Sequence, residues 1–135
     1  MLFYVHLTYN TLIFFSDQIL RLADGVRDGE GRVEIFHDGH WGTICDDLWD
    51  TKDAQVVCGQ LGYSEVLAAP AFATFGEGNG HIWLSDVSCL GNESSIEDCP
   101  HRGWSVYGYC YHEEDASVIC SNETQNLGKL YTITL

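Results

Sequence analysis

The chain has 135 residues, enough for one domain with a buried core, and its 45% hydrophobic and 19% charged residues exclude a disordered chain. Twenty acidic and six basic side chains give a net charge of −14, which disfavours direct binding to nucleic acid because the phosphate backbone is also negative. Such a surface attracts cations or basic patches on protein partners, or it only keeps the domain soluble.

The amino-terminal segment, residues 1–17, opens with an apolar, aromatic run. Polar residues interrupt this run, and no Lys or Arg precedes Arg21, whereas a secretory signal peptide has a basic start and an unbroken apolar stretch. The run is also short and polar for a membrane span. We interpret residues 1–17 as a poor or partial signal segment, with a structural segment or a mis-called exon as alternatives.

Alternating apolar and polar residues predict the first strands of the domain. Residues 18–22 alternate as a short strand would, and residues 32–36 alternate again after a polar, glycine-rich turn. The Asp38-Gly39 step then predicts a hairpin that returns through residues 41–45.

A helix is predicted over residues 50–62. Its apolar residues recur at i, i+3, i+4 and i+7 on one face: Ala54, Val57, Cys58 and Leu61. Asp50 or Thr51 can cap its start, and Gly62 suits a left-handed cap at its end. Cys58 is therefore expected to point into the core.

The second half of the chain is predicted to be mostly loop. Residues 64–80 are rich in Ala and Gly and are expected to form a long irregular loop, followed by a buried strand at 81–84. Residues 94–97 have the Ser-x-x-Glu form of a capping box, which predicts a single helical turn. Residues 117–120 are expected to be the closing strand.

Together these elements predict a small α+β domain with one main helix and long loops. It extends over residues 18–121, and residues 122–135 are interpreted as a tail or linker. Two glycosylation sequons, at Asn92 and Asn122, agree with a secreted location.

All six cysteines lie in the carboxyl-terminal two-thirds of the chain: Cys45, Cys58, Cys89, Cys99, Cys110 and Cys120. No pair has the CxxC spacing, which argues against a zinc ribbon and a thioredoxin-like motif. The even count predicts disulfides formed in an oxidising compartment. The spacing alone leaves all fifteen connectivities of six cysteines open.

Six motifs follow one another along the chain: GRVEI at 31–35, WGTICDD at 41–47, VVCGQLGY at 56–63, IWLSDV at 82–87, EDC at 97–99 and HEEDA at 112–116. Together they resemble the scavenger receptor cysteine-rich family. The six-cysteine class (group A) fits best, because the eight-cysteine class would place cysteines near Gly29 and Tyr63 and this chain has none there.

The resemblance implies a curved antiparallel sheet and the pairs Cys45–Cys110, Cys58–Cys120 and Cys89–Cys99. It also implies an extracellular binding module of a scavenger or innate-immune type receptor or secreted protein, and not an enzyme. Its ligands would be extracellular proteins or polyanions, and it would meet a membrane only through a tether outside this sequence. The alternatives are an accessory domain of a larger extracellular protease or oxidase, and a structural spacer.

The resemblance also implies a cation site. In the family an Asp-Asp pair and a Glu of the His-x-Glu-Asp-Ala motif form a cation-dependent ligand site, which corresponds here to Asp46, Asp47 and Glu114. Repulsion between neighbouring carboxylates is relieved by a hard cation, and calcium is the natural one outside the cell. Asp86 is a weaker candidate for a second cation site, since Ser85 stands where the family often has another acid. The alternative is that these acids form salt bridges or cap turns, which we prefer for Asp115.

Other residue types give weaker signals. Arg32 stands at the start of a strand where some relatives bind polyanions, but its neighbourhood is poor in basic residues, so a direct basic patch is not expected. The four tryptophans are interpreted as core, and Tyr107, Tyr109 and Tyr111 as a partly exposed contact surface. The histidines lack HExxH or similar ligand spacing and are interpreted as ordinary surface or hydrogen-bonded residues. Residues 103–107 miss the second glycine of the GxSxG hydrolase motif.

Overall fold

The computed structural model describes residues 18–122 and, before them, the strands β1 (Leu2–Leu7) and β2 (Thr11–Ser16). These two strands pair antiparallel as a separate two-stranded sheet. The proposal that residues 1–17 are a signal segment stays a prediction, and residues 123–135 of the expected tail lie outside the described part.

Six strands form the main sheet: β3 (Leu20–Ala23), β4 (Glu30–His37), β5 (His40–Ile44), β6 (Glu65–Ala68), β7 (His81–Leu84) and β8 (Ser117–Ser121). Their order is β6-β8-β4-β5-β7, and β3 also pairs with β4. All of these pairs are antiparallel except β5–β7, which is parallel. The sheet is curled and carries one helix, α1 (Thr51–Gln60), so the predicted α+β class is confirmed.

Two parts of the fold differ from the sequence predictions. Residues 64–80 are not a continuous loop, because β6 lies within them and pairs with β8 across a register shift between Val66 and Ala68. A strand of four residues at the edge of the sheet carries too little alternation to be recognised. The parallel β5–β7 pair was also not foreseen, since its two strands lie far apart in the sequence.

The predicted caps of α1 are present. The Asp50 carboxylate accepts hydrogen bonds from the backbone N–H groups of Lys52 and Asp53, and the Asp53 carboxylate accepts one from Asp50 N. This reciprocal pair satisfies donors that the helix cannot satisfy itself. Gly62 has a φ of +91°, as expected for a residue that ends a helix in the left-handed region.

The second predicted helical turn is a 3₁₀ turn at Ile96–Asp98. Its capping residue is Ser95 and not the predicted Ser94, because the Ser95 hydroxyl is the group that accepts from Glu97 N, at 3.3 Å. Another 3₁₀ turn, at His112–Glu114, precedes β8.

The core lies between the sheet and α1. Its largest fully buried aliphatic side chains are Leu20, Val33, Ile35, Ile44, Val57, Leu84, Val87, Ile96 and Val118. The cysteines are paired as Cys45–Cys110, Cys58–Cys120 and Cys89–Cys99, the connectivity that the family resemblance implies. The second of these joins α1 to β8 through the core.

One carboxyl group, that of Asp53, is fully buried under this helix. It accepts hydrogen bonds from Cys89 N and Asp50 N, both at 2.8 Å, and so ties the Cys89–Cys99 loop to the start of α1. Burial raises the pKa of Asp53 to about 6, against the opposing effect of these two hydrogen bonds.

The stability of the domain is therefore expected to depend on the protonation of Asp53. Because its pKa is higher in the folded chain, the stability contributed by the protonated group is complete below pH 3.8 and lost as the pH rises through about 6. The free energy of unfolding of the wild type relative to Asp53→Asn should fall by about 1–3 kcal/mol across this window. Urea titrations of both oxidised proteins at several pH values measure this difference, and a pH-independent difference would contradict the assignment.

A second prediction concerns two buried serines, Ser117 in β8 and Ser85 directly after β7. The Ser117 hydroxyl is buried with no hydrogen-bond partner within residues 18–122, whereas the Ser85 hydroxyl donates to Val106 O at 3.1 Å. Ser117→Ala should be neutral or stabilise the fold, and Ser85→Ala should cost about 1 kcal/mol, because only the latter leaves a carbonyl without its donor. Thermal unfolding of the two variants compares them directly; equal losses would show the two sites to be equivalent.

Candidate functional site

The candidate site is built around the Cys45–Cys110 disulfide, which joins the end of β5 to the segment before the His112–Glu114 turn. Backbone pairing reinforces this link. Cys45 and Asp115 form an isolated antiparallel bridge, and Asp46 N donates to Glu114 O at 2.8 Å. The Asp46-Asp47 pair therefore lies next to the acidic turn that contains Glu114.

The three residues predicted as cation ligands meet at this junction. Carboxylate oxygens of Asp46, Asp47 and Glu114 all lie within 4.8 Å of one another. Asp47 is exposed and the other two are half-buried, so the cluster lies at the surface of the domain. Within residues 18–122, none of the three forms an ion pair with Lys or Arg.

The electrostatics of this cluster favour a cation. Partial burial raises the pKa of Asp46, and the neighbouring charges of Asp47 and Asp115 raise it further, while a hydrogen bond from Phe72 N at 2.7 Å lowers it. Glu114 also accepts a longer hydrogen bond, from Tyr111 N at 3.4 Å. These donors fix two carboxylates but leave the mutual repulsion in place.

The donor set fits calcium better than a softer metal. All three side chains offer carboxylate oxygen, and calcium takes six to eight oxygen ligands, so water or a bound ligand would supply the rest. Two other clusters of potential metal ligands occur in the described residues, and each contains a disulfide. One combines Cys45–Cys110 with Asp47, and the other combines Cys89–Cys99 with Glu93. Their sulfurs are not available as thiolate ligands.

The remaining candidate ligand, Asp86, stands elsewhere. Its carboxylate faces the Arg102 guanidinium at 3.5 Å, and no group of three potential ligands in the described residues includes it. Asp115 is fully buried, accepts from Gly78 N at 2.7 Å and lies 3.0 Å from Nδ1 of His112, which agrees with an architectural role.

Arg32 is a buried structural residue. Only 5% of its surface is exposed, and its guanidinium bonds to the carboxylates of Asp24 and Glu34 and to Gly76 O. Burial alone would lower its pKa, but the hydrogen bonds and charges of Asp24 and Glu34 together outweigh this effect and raise it. Arg21 also pairs with Glu34, at 2.7 Å. Arg32 is therefore committed to the fold and is not free to bind a polyanion.

This arrangement predicts unequal effects of two arginine substitutions. Arg32→Ala should lower the free energy of unfolding by about 3 kcal/mol, since it removes a buried guanidinium that bonds to Glu34, Asp24 and Gly76 O at once. Arg21→Ala, at a half-exposed position, should cost at most about 1 kcal/mol. Chemical denaturation of both variants provides the test. An equally small loss of stability in Arg32→Ala would contradict the structural role of Arg32.

Apolar side chains that the sequence did not single out flank the acidic cluster. Leu48 is 66% exposed and Phe72 is 77% exposed, and both have a left-handed backbone with φ of 66° and 54°. Leu48 follows Asp47 directly, whereas Phe72 is placed here by the hydrogen bond of its N–H to Asp46, a tertiary contact that no local pattern indicates. Tyr107, Tyr109 and Tyr111 are exposed, and the predicted aromatic surface beside Cys110 is present.

The sequence profile of the scavenger receptor cysteine-rich domain matches residues 23–121, and the chain belongs to this family. Solved structures agree. The third such domain of murine neurotrypsin is 48% identical and superposes with a TM-score of 0.67, covering 75% of this chain and 94% of that one. The domain of mouse MARCO in its dimeric form is 47% identical with a TM-score of 0.63, covering 68% of this chain and 86% of that one.

Curated relatives are longer proteins. The macrophage scavenger receptor types I and II of Mus musculus is 56% identical over 76% of this chain, and the galectin-3-binding protein of Pongo abelii is 50% identical over 82%. The chain spans only 22% and 19% of their respective lengths.

The family and the disulfides together establish where the domain works. It is an extracellular domain, of a secreted protein or of a receptor ectodomain, consistent with an oxidising compartment for its three disulfides. Among the described residues, no helix is long and apolar enough to cross a membrane.

Proposed function

We propose that this chain is a ligand-binding module of the six-cysteine class (group A), in a scavenger or innate-immune type receptor or secreted protein. It binds protein or polyanionic ligands through a calcium ion. The observation that carries the proposal is the cluster of Asp46, Asp47 and Glu114, whose carboxylate oxygens lie within 4.8 Å of one another. Calcium bound there would offer its open coordination positions to a ligand.

Calcium would determine which ligands the site accepts. Without the ion, the three carboxylates repel sulfate and phosphate and attract basic groups. With the ion, a carboxylate, sulfate or phosphate of the ligand can complete the coordination sphere. Since Arg32 is buried and bonded to Asp24 and Glu34, a polyanion would depend on the bound ion and not on a basic patch.

A binding role fits this chain better than catalysis. The described residues hold no free cysteine, because all six are in disulfides, so a thiol nucleophile is absent from them. A depression of about 500 Å³, bordered by Arg21, Asp24 and Tyr63, is an open polar cleft. Ligand recognition by an exposed surface suits such a shape.

A second candidate is an accessory, non-catalytic domain or spacer in a larger extracellular protein, including an enzyme. The likeness to the third such domain of murine neurotrypsin, a protein that therefore carries several copies, favours it. A spacer would show no effect of calcium on ligand binding, whereas an accessory binding domain would retain it.

Calorimetric titration with calcium tests the proposal on the oxidised chain. The wild type should bind saturably, and Asp47→Asn should lose at least about tenfold in affinity, because a carboxylate ligand of an exposed site is removed. Asp86→Asn is the matched control and should bind like the wild type. No heat from the wild type would refute the calcium site, and equal loss in both variants would refute its location.

The ligand half of the proposal is tested separately, by surface binding of dextran sulfate and of a basic protein. The wild type should retain dextran sulfate in calcium and release it in a chelator, and Asp47→Asn should not retain it. If neither the chelator nor Asp47→Asn alters the retention of dextran sulfate, calcium-bridged polyanion binding is excluded. Binding of the basic protein then shows whether the carboxylates bind a basic ligand directly.

We propose that both sequons are glycosylated, with higher occupancy at Asn92. Asn92 is exposed, whereas the Asn122 side-chain oxygen accepts from Ser64 N at 3.1 Å and is half-buried. In protein secreted from mammalian cells, Asn92→Gln should therefore remove more glycan mass than Asn122→Gln. Mass spectrometry before and after enzymatic deglycosylation measures it, and the reverse order would show that the Ser64 contact does not hinder the modification.

A further inference from the structure

Histidines gather at the end of the sheet opposite the acidic cluster. His37 and His40 flank the turn between β4 and β5, and His81 begins β7. The ring centroids of His40 and His81 are 5.8 Å apart, with the planes tilted by 43°. We infer that His40 and His81 form a binding site for a divalent transition-metal ion such as Cu²⁺, Ni²⁺ or Zn²⁺.

The separation of the two rings fits a shared metal. A metal bound at about 2.1 Å from a ring nitrogen lies about 3.2 Å from the ring centroid, so two imidazoles on one ion have centroids about 4.5–6 Å apart for angles of roughly 90–140° at the metal. The observed distance of 5.8 Å lies inside this range. The spacing of the two exposed rings is therefore compatible with one shared ion.

Trp83 is the fixed base of the site. Its side chain is 4% exposed, and the His81 ring stacks on it at 4.2 Å with planes 13° apart. The Trp83 indole N–H donates to His40 O at 3.1 Å. Gly42 permits this approach, since a Cβ there would stand 2.5 Å from the indole. One buried ring therefore holds the side chain of His81 and the backbone of His40, which lowers the entropy lost when a metal orders the site.

The ring nitrogens of these two histidines are available. Both side chains are exposed, and within residues 18–122 neither ring takes part in a hydrogen bond. The other histidines of residues 18–122 are engaged. His37 stacks face to face on Trp104 at 3.5 Å, Nδ1 of His101 accepts from Gly103 N, and both nitrogens of His112 face oxygen atoms.

The chemistry of the pair selects a different ion from the acidic cluster. Neutral imidazole suits copper, nickel and zinc, and calcium prefers oxygen. The two sites lie at opposite ends of β5, roughly 20 Å apart at about 3.3 Å per residue. Two histidines leave coordination positions for water or for a donor of a partner, and the net charge of −14 attracts any cation. The inference does not depend on the proposed calcium function.

The experiment uses the untagged, oxidised full chain. Calorimetric titrations with CuCl₂, NiCl₂ and ZnCl₂ should give one site per chain, in the affinity order Cu²⁺ above the other two. Copper should also quench tryptophan fluorescence, because Trp83 stacks on a ligand ring. His40→Gln and His81→Gln should each weaken binding roughly 10- to 100-fold.

His101→Asn is the matched control, since it removes a neighbouring imidazole while the Asn oxygen can accept from Gly103 N. It should bind the transition-metal ions like the wild type. A large excess of calcium should leave their binding to the wild type unchanged. Absence of binding, or binding that His40→Gln and His81→Gln leave unchanged, would overturn the site. An equal loss in His101→Asn would overturn its assignment to this pair. Circular dichroism verifies that each variant is folded.

Discussion

The candidate functional surface depends on one covalent constraint, the disulfide between Cys45 and Cys110. It closes a separation of 65 residues and, with the Cys45–Asp115 bridge, places Asp46 and Asp47 beside Glu114. Loop closure of this length restricts the unfolded chain by about 4 kcal/mol. Three carboxylates within 4.8 Å repel one another, so the fold stabilises an arrangement that the charges alone would separate. A bound cation would relieve that repulsion, and this is the physical basis of the proposed cation-dependent recognition.

Strand β5 links the two ends of the molecule at which cations are proposed to bind. Its start carries His40, against the buried Trp83, and its end leads into the acidic cluster. The parallel pairing of β5 with β7 is needed at both ends, since it brings His81 to His40 and lets Cys45 N donate to Leu84 O. Between the ends, aliphatic side chains and α1 form the core that separates the two surfaces.

Much of the fold could be predicted from local patterns. The β4–β5 hairpin, the Asp50 cap and the Gly62 end of α1 each follow from a few neighbouring residues whose conformational preferences are strong. The cation cluster could be predicted only through the family resemblance, because it depends on a disulfide that spacing alone does not select. What escaped prediction depends on distant contacts: strand β6, the parallel β5–β7 pair and the exposed Phe72 beside Asp46. The histidine pair escaped for the same reason, since no sequence spacing relates two strands that meet only in the fold.

The most direct test of the central claim is a calcium titration of the ¹⁵N-labelled chain followed by amide chemical shifts. Three amide groups report on the cluster: Phe72 N donates to Asp46, Tyr111 N to Glu114, and Asp46 N to Glu114 O. We expect these three amide signals to shift together and to saturate, while those of His40 and His81 do not move. Saturable shifts elsewhere, or none at these three amides, would contradict a cation site formed by Asp46, Asp47 and Glu114.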